Sequence, residues 1–120
     1  MIHDGVRPFV KKLTVEALLD RCEKTGGAVA PIIPIDFTPT LNLKPMERGL
    51  VHQIITPYIF PIDELTSSLM NQSVVESGHR DPFLINSMFH DNHDYVKAEH
   101  IEGLKLTYPY QQKMFERLLE

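Results

Sequence analysis

Several residue types and patterns that mark particular classes of protein are scarce or missing in this sequence. Cysteine occurs once, as Cys22, so the chain has no internal disulfide framework and no cysteine-based zinc site, which fits a reducing compartment. No apolar run approaches the roughly 20 residues of a membrane-spanning helix, and the first residues lack the apolar block of a signal peptide. The six glycines form no glycine-rich loop of the kind that binds phosphates.

The remaining composition is that of an ordinary soluble domain. Hydrophobic residues make up 42% and charged residues 23% of the 120 residues, so the chain can bury one core, and intrinsic disorder is not expected. The formal net charge of -4 argues against nucleic acid or an anionic membrane surface as a partner. We therefore expect one domain over residues 1–120 and a cytoplasmic location.

Helix and strand signals alternate in the first third of the chain. Thr14 is a suitable helix cap, and the apolar residues after it follow the spacing of one helical face, namely Val15, Leu18, Leu19 and Cys22. Gly26 and Gly27 end this pattern, and residues 28–35 form an almost continuous apolar run, as in a strand that is covered on both faces. This order predicts an α/β domain with a mostly parallel sheet.

The later segments carry weaker signals. Residues 36–50 are polar, contain prolines and show no helical period, which predicts an extended hairpin arm outside the core. Short strands are expected over residues 50–55, 95–98 and 103–107. Helices are expected to open at Pro61 and Pro109. The apolar residues expected to face the core from these two helices are Ile62, Leu65, Leu69, Tyr110, Met114, Phe115, Leu118 and Leu119.

The polar turn at residues 3–8 (HDGVRP) has the clearest chemical potential. Asp4 and Arg7 lie three residues apart at the expected end of a strand, where ligands of parallel sheets bind. Arg7 could contact a phosphate through two N–H groups, and Asp4 could accept from a sugar hydroxyl or lie near a divalent ion. The alternative is that the two side chains pair with each other and only hold the turn.

Four blocks of the sequence, in order, resemble motifs of one enzyme family. HDGVRPF at residues 3–9 resembles an HDAARPF-type motif, and TGGAVA with PID at 25–36 resembles a GGA…PVxDT strand. QIITPYIF at 53–60 resembles a QTPQAF block, and GLKLTYP at 103–109 resembles an NIKITTPED block. The family is that of the 2-C-methyl-D-erythritol 4-phosphate and ribitol 5-phosphate cytidylyltransferases, and the likeness is to their C-terminal portion.

The resemblance implies a Rossmann-like fold of the nucleotide-diphospho-sugar transferase type, truncated at the N-terminus, with a projecting arm around residues 36–50. In the complete enzyme, CMP would pass from CTP to ribitol or methylerythritol phosphate, with release of pyrophosphate. CTP and the polyol phosphate are then the expected partners, Mg²⁺ the expected cofactor, and a homodimer through the arm the expected assembly. The alternative is a catalytically inactive fragment or an oligomerisation module of the same fold.

The resemblance also implies substrate-binding roles for five residues. Asp4 and Arg7 would face the polyol phosphate, Thr56 would donate to substrate, and Lys105 would neutralise phosphate charge. Arg48, in the arm, would reach the phosphate site of a neighbouring subunit. From the residues alone, Lys105 is equally the solvent face of a strand and Arg48 a solvated loop residue. No catalytic residue is assigned within this chain.

The departures from the family pattern bear on catalysis. The AAGxGxR-type loop that binds the CTP phosphates in the family has no counterpart in residues 1–120. Tyr58 stands in place of the second glutamine of QTPQ, and Asp81 remains from a TDD-like block if that block corresponds to residues 79–82. We therefore do not expect catalysis by this chain alone, and the acceptor stays unassigned.

A cluster of histidines suggests a different chemistry. His90 and His93 lie three residues apart in HDNHD, flanked by His79 and His100, and neutral imidazole is a common ligand of transition metals. A metal-dependent hydrolase would follow from such a site. Because the sequence contains no HExxH-type motif, we favour a solvated polar turn and predict no metal site.

Overall fold

The computed structural model describes residues 1–35, 51–71, 78 and 81–120, and the backbone of two short strands between residues 40 and 45. Helix α1 is Lys12–Thr25, α2 is Ile62–Leu69, α3 is Pro82–Phe89 and α4 is Gln112–Leu118. The strands are β1 Ala28–Pro34, β2 Thr40–Leu41, β3 Lys44–Pro45, β4 His52–Ile54 and β5 His93–Lys97. Single 3₁₀ turns lie at His100–Gly103 and Pro109–Gln111. Within these described residues, no helix is long and apolar enough to cross a bilayer.

The central sheet has the strand order β4-β1-β5. Strand β1 is antiparallel to β4, with Ile32 opposite Ile54, and parallel to β5, with Ala28 opposite His93. The predicted α/β fold is therefore confirmed. The sheet, expected to be mostly parallel, is mixed in its described part, since β1 has one antiparallel and one parallel neighbour. Only parallel neighbours require a long crossover, and helices α2 and α3 lie between β1 and β5 in the chain.

The core lies on both faces of β1. On one face, Leu18 of α1 is fully buried against Val29 and Ile59, and Cys22 packs at the edge of this cluster. Leu19, which shares the predicted apolar face of α1, is exposed instead. Cys22 thus behaves as a partly buried apolar residue, and burial raises the pKa of its thiol.

The two ends of α1 are determined differently. At the C-terminal end, Gly26 adopts a left-handed conformation, with φ of 71°, and its N–H donates to Cys22 O at 2.8 Å, as the glycine pair predicts. At the N-terminal end the predicted cap at Thr14 is wrong. The helix begins at Lys12, and the N–H of the cap residue Lys11 is bound at 3.0 Å by the side chain of Glu102, which is distant in sequence.

Two predictions based on apolar spacing are also wrong. Residues 103–107 form no strand; they lead away from a 3₁₀ turn, and Leu106 N–H donates to Val6 O at 2.8 Å. Leu65 of α2 and Phe115 of α4 are buried as expected, Phe115 against Phe9. The other apolar residues expected to face the core in and beside these helices are exposed, namely Tyr110, Met114, Leu118, Leu119, Ile62 and Leu69. Helical spacing identifies an apolar face, but it does not tell whether the fold places another surface against that face.

An aromatic cluster covers the second face of β1. Its members pack around Ala28 and Ala30 and are Tyr58, Phe60, Phe83 and Tyr95. The Tyr58 hydroxyl donates to Asp81 Oδ2 at 2.9 Å, while Asp81 Oδ1 accepts the Leu84 N–H and so caps α3. Burial, together with the bond to Asp81, raises the pKa of Tyr58 above its ordinary value. Tyr58 therefore links the sheet to α3.

Tyr58→Phe is expected to lower the free energy of unfolding by about 1 kcal/mol at pH 8, since it removes one hydrogen bond and keeps the ring. Because folding raises the tyrosine pKa, this difference is fully present below the unfolded value of about 10 and is lost as the pH rises towards the folded value. Urea unfolding of both proteins at pH 8 and pH 11 measures it. A difference that stays constant between the two pH values would contradict the assignment.

The predicted arm contains a short hairpin. Strands β2 and β3 are antiparallel, with Thr40 opposite Pro45 and Leu41 opposite Lys44, and they form a separate two-stranded sheet. Arg48, predicted to act from this arm, lies outside the described residues.

Candidate functional site

The turn near the N-terminus is held against the segment around Thr56. Ile2 and Tyr58 exchange both of their backbone hydrogen bonds, at 2.9 and 2.8 Å. The Asp4 N–H donates to Thr56 Oγ1 at 3.0 Å, and the turn closes with Arg7 N–H donating to Asp4 O at 3.1 Å. Thr56 is thus buried directly beneath the turn.

His3 completes this network, and its contacts define its tautomer. Its Nε2 lies 2.9 Å from Arg7 O, and a carbonyl oxygen can only accept, so Nε2 carries the proton. In the neutral ring Nδ1 is then the acceptor, and the Thr56 hydroxyl donates a hydrogen bond to it at 3.0 Å. The Thr56 hydroxyl is therefore used inside the turn, where it positions Asp4.

Arg7 is the buried centre of the cluster. Its side chain is 9% exposed; Nε donates to Asp4 Oδ2 at 3.1 Å, and Nη1 donates to Gly103 O at 2.5 Å. The ion pair that would hold the turn is thus present. Because the guanidinium is planar, these two bonds also set the direction of its remaining N–H groups.

Lys105 brings a second cation to the same carboxylate. Its Nζ lies 3.9 Å from Asp4 Oδ2, and the side chains of Lys105 and Asp4 are 47% and 40% exposed. Two cations and one carboxylate leave an excess of positive charge at a half-exposed position, which favours an anion. An anion arriving from solvent would meet Lys105 and Asp4, with Arg7 behind them.

The predicted substrate-binding residues are thus placed in three ways. Asp4, Arg7 and Lys105 form one cluster, although Lys105 lies at the far end of the sequence. Thr56 supports the cluster from below. The role of Arg48 stays a prediction, because that residue is not described.

Three residues of the cluster were missed by sequence reasoning. His3 was visible as the first residue of the HDGVRPF block, but no partner for it could be named. Glu102 and Gly103 precede Lys105, and no local pattern signals that one would hold the start of α1 and the other the guanidinium of Arg7. Both contacts join segments more than 90 residues apart, which periodicity does not report.

The described histidines of residues 79–100 do not come together in one site. His90 Nδ1 pairs with Glu64 Oε1 at 3.1 Å, and Asp94 pairs with Arg21 at 2.9 Å, which lowers the Asp94 pKa. Among the described residues, no three His, Cys, Asp or Glu side chains are placed so that they could hold a metal ion. His79 lies outside the described residues.

Two curated relatives resemble the chain in sequence. A 2-C-methyl-D-erythritol 4-phosphate cytidylyltransferase of Clostridium acetobutylicum is 29% identical over 125 residues, covering 100% of this chain and 54% of the relative. The protein of the same name from Clostridium botulinum is 26% identical over 117 residues, covering 91% of this chain and 50% of the relative. No protein-family model matches the chain. The chain thus spans about half the length of the curated relatives that it matches.

The solved structures that resemble this chain are of enzymes of the same kind as the sequence relatives. The 2-C-methyl-D-erythritol 4-phosphate cytidylyltransferase of Thermus thermophilus superposes with a TM-score of 0.79 at 22% identity, over 97% of this chain and 59% of that one. The 4-diphosphocytidyl-2C-methyl-D-erythritol synthase of Anaerococcus prevotii superposes with a TM-score of 0.81 at 20% identity, over 98% and 56%. At these identities the structures establish the fold, and the sequence relatives confirm the resemblance. The chain is therefore similar in sequence and in fold to 2-C-methyl-D-erythritol 4-phosphate cytidylyltransferases, over about half of their length.

Proposed function

We propose that this chain binds the phosphate of a polyol phosphate and forms the acceptor side of a cytidylyltransferase. One observation carries the proposal: the positions matched to the substrate residues of the family, Asp4, Arg7 and Lys105, form a single cationic cluster in the fold. The names of the sequence relatives support a methylerythritol phosphate as one acceptor to be tested. Ribitol phosphate presents the same chemical groups and is the second.

The proposed reaction requires charge neutralisation more than proton transfer. An oxygen of the acceptor phosphate attacks the α-phosphorus of CTP, the bond from that phosphorus to the β-phosphate oxygen breaks, and pyrophosphate leaves. A phosphate monoester has its second pKa near 6, so at neutral pH the nucleophile is already ionised and needs no general base. The barrier comes instead from bringing this dianion up to a triphosphate, and cations placed beforehand lower it.

Each residue of the cluster has a definite task in this scheme. Arg7 presents its remaining N–H groups to the acceptor phosphate, in a direction set by its bonds to Asp4 and Gly103. Lys105, at the solvent side, supplies a second positive charge. Asp4 orients Arg7 and can accept a hydrogen bond from an acceptor hydroxyl. Thr56 and His3 hold the turn that carries Asp4 and Arg7.

The residues described here do not by themselves fit a Mg²⁺ ion. Mg²⁺ prefers one or two carboxylates together with phosphates and water, but Oδ2 of Asp4 already lies between Arg7 and Lys105. The described residues also contain no three-ligand cluster. The Mg²⁺ expected from the resemblance therefore stays a prediction, and no step proposed here depends on it.

The homodimer also stays part of the proposal. In it, the arm of one subunit would bring Arg48 to the phosphate site of its neighbour. The paired strands β2 and β3 support an arm of hairpin form. Sedimentation of the chain at several concentrations tests the assembly, and a monomer at all of them would refute it.

The cluster predicts that Lys105→Met weakens acceptor binding. Calorimetric titration with methylerythritol 4-phosphate and with ribitol 5-phosphate should show an affinity loss of about tenfold or more, since a charge-assisted hydrogen bond contributes roughly 1.5–3 kcal/mol. Lys97→Met is the matched control. Lys97 is also exposed, but it lies at the end of β5, and none of the ion pairs among the described residues joins it to Asp4, Arg7 or Lys105.

The outcomes separate the proposed functions. Binding of one acceptor by the wild type, weakened by Lys105→Met and not by Lys97→Met, supports the acceptor site. Equal affinities of the two variants, or no binding of either acceptor, would refute it. Pyrophosphate release from CTP in the presence of the bound acceptor would show that the chain acts as a transferase by itself, whereas binding without release is expected if it supplies only the acceptor side.

A further inference from the structure

Glu102 is a buried carboxylate outside the matched motifs. Its residue is 2% exposed, and its two oxygens each accept one backbone N–H: Oε1 that of Lys11 at 3.0 Å, and Oε2 that of Glu99 at 2.8 Å. The first bond reaches the start of α1, and the second closes the 3₁₀ turn that Glu102 itself belongs to. Burying a carboxylate is costly unless its oxygens are satisfied, and here both are.

The segment that follows Glu102 is fastened to the Arg7 turn at further points. Gly103 O accepts from Arg7 Nη1, and Leu106 N–H donates to Val6 O at 2.8 Å. Lys105 lies between these two anchors. A side chain on Gly103 would have its Cβ 2.7 Å from Ile33 Cδ1, so the backbone lies directly on the core. The position of Lys105 relative to Arg7 thus depends on how residues 102–106 are held.

Charged side chains near Glu102 strengthen the link between the start of α1 and residues 99–102. The Lys11 ammonium pairs with the Glu99 carboxylate, and this hydrogen bond, with a smaller contribution from the charge of Glu102, raises the Lys11 pKa. The carboxylate of Glu102 also lies at the N-terminus of α1, where negative charge is favourable. Two acceptors on one side chain are required here, since glutamine offers one acceptor and aspartate is shorter by one methylene.

We infer that Glu102 is a positioning residue that sets the geometry of Arg7 and Lys105 for phosphate. It touches no substrate and acts through Gly103 O and through the backbone of residues 99–106. The inference concerns the site of the proposed function and rests on that function for the identity of the ligand. Its structural part, the orientation of Arg7, does not depend on the ligand.

The test compares Glu102→Gln with Ser68→Ala. Ser68 is 1% exposed and bonds to Glu64 O and Asn86 Oδ1 between α2 and α3, so its removal also costs buried hydrogen bonds, away from the cluster. The first readout is the Nε–Hε signal of Arg7 in ¹H–¹⁵N spectra, assigned with Arg7→Lys. The second is the affinity for inorganic phosphate and ribitol 5-phosphate, from ligand titration of the same spectra.

Glu102→Gln is expected to shift the Arg7 signal towards that of a free guanidinium and to lower the affinity for phosphate about tenfold. Ser68→Ala is expected to change neither the Arg7 signal nor this affinity. Glu102→Asp, which keeps both oxygens, should recover part of the affinity; it is also the variant to use if Glu102→Gln does not fold. An unchanged Arg7 signal and unchanged affinity in folded Glu102→Gln would overturn the inference. If the wild type binds no phosphate but Glu102→Gln shifts the Arg7 signal, the proposed function fails and the positioning role stands.

Discussion

Gly27→Ala is expected to lower the free energy of unfolding by about 3 kcal/mol or more, because the added methyl group meets backbone that cannot move aside. A Cβ at Gly27 would lie 1.8 Å from the backbone oxygen of Asn92 and 2.7 Å from its carbonyl carbon. Asn92 immediately precedes β5, whose first residue His93 pairs with Ala28. Separating the two segments would therefore open the parallel pairing of β1 and β5 at its start.

The matched control for this prediction is Gly5→Ala. Apart from its two chain neighbours, no atom of the described residues lies within 4 Å of a Cβ built on Gly5, and the backbone of Gly5 is not in the left-handed region. The same methyl group is therefore expected to change the free energy of unfolding by less than about 0.5 kcal/mol. Urea unfolding followed by circular dichroism compares the two. Equal midpoints for Gly27→Ala and the wild type would show that the two segments are not in close contact.

Arg7→Met is expected to have the second-largest effect, a loss of about 2 kcal/mol of stability together with the loss of phosphate binding. The side chain of Arg7 is 9% exposed, and its removal leaves the Gly103 carbonyl and the Asp4 carboxylate without their donor. Methionine fills a similar volume, so the loss reports the lost hydrogen bonds more than a cavity. Asp4 is 40% exposed and can recover water, which limits the cost.

Arg21→Met is the control for Arg7→Met. Arg21 also forms an ion pair, with Asp94 at 2.9 Å, but the two side chains are 46% and 36% exposed. Exposed pairs contribute little, so a change of at most about 0.5 kcal/mol is expected. Denaturant midpoints of the two variants, measured in the same buffer, compare their losses of stability. A similar loss in both would indicate that Arg7 acts as an ordinary surface ion pair.

The success of sequence reasoning at the start of the chain has a local physical cause. The end of α1 follows from Gly26, because a left-handed residue with no Cβ terminates a helix irrespective of the rest of the fold. The apolar run after it predicts β1, which is buried on both faces at Ala28, Val29 and Ala30. The start of α1 was misplaced, since the N–H of its cap residue is bound by Glu102 from the other end of the chain.

In the candidate site, too, the contacts within one turn follow from the sequence, and the contacts between distant segments do not. The proximity of Asp4 and Arg7 follows from their spacing of three residues in one turn. That Lys105 joins them came only from the resemblance, because spacing alone left it on the solvent face of a strand, and that strand does not form. His3, Glu102 and Gly103 were missed for the same reason: each acts through a partner that the fold supplies.

By itself, the sequence determined the α/β class, the first helix and strand, the polar turn of Asp4 and Arg7, and the order of four blocks that resemble cytidylyltransferase motifs. These depend on local conformational preferences and on residue order, which a sequence states directly. Only the tertiary structure decided which apolar helix faces are buried, that the Thr56 hydroxyl is used within the turn, and that Lys105 meets Asp4. Those outcomes depend on contacts between distant segments, and such contacts exist only once the sheet has brought the segments together.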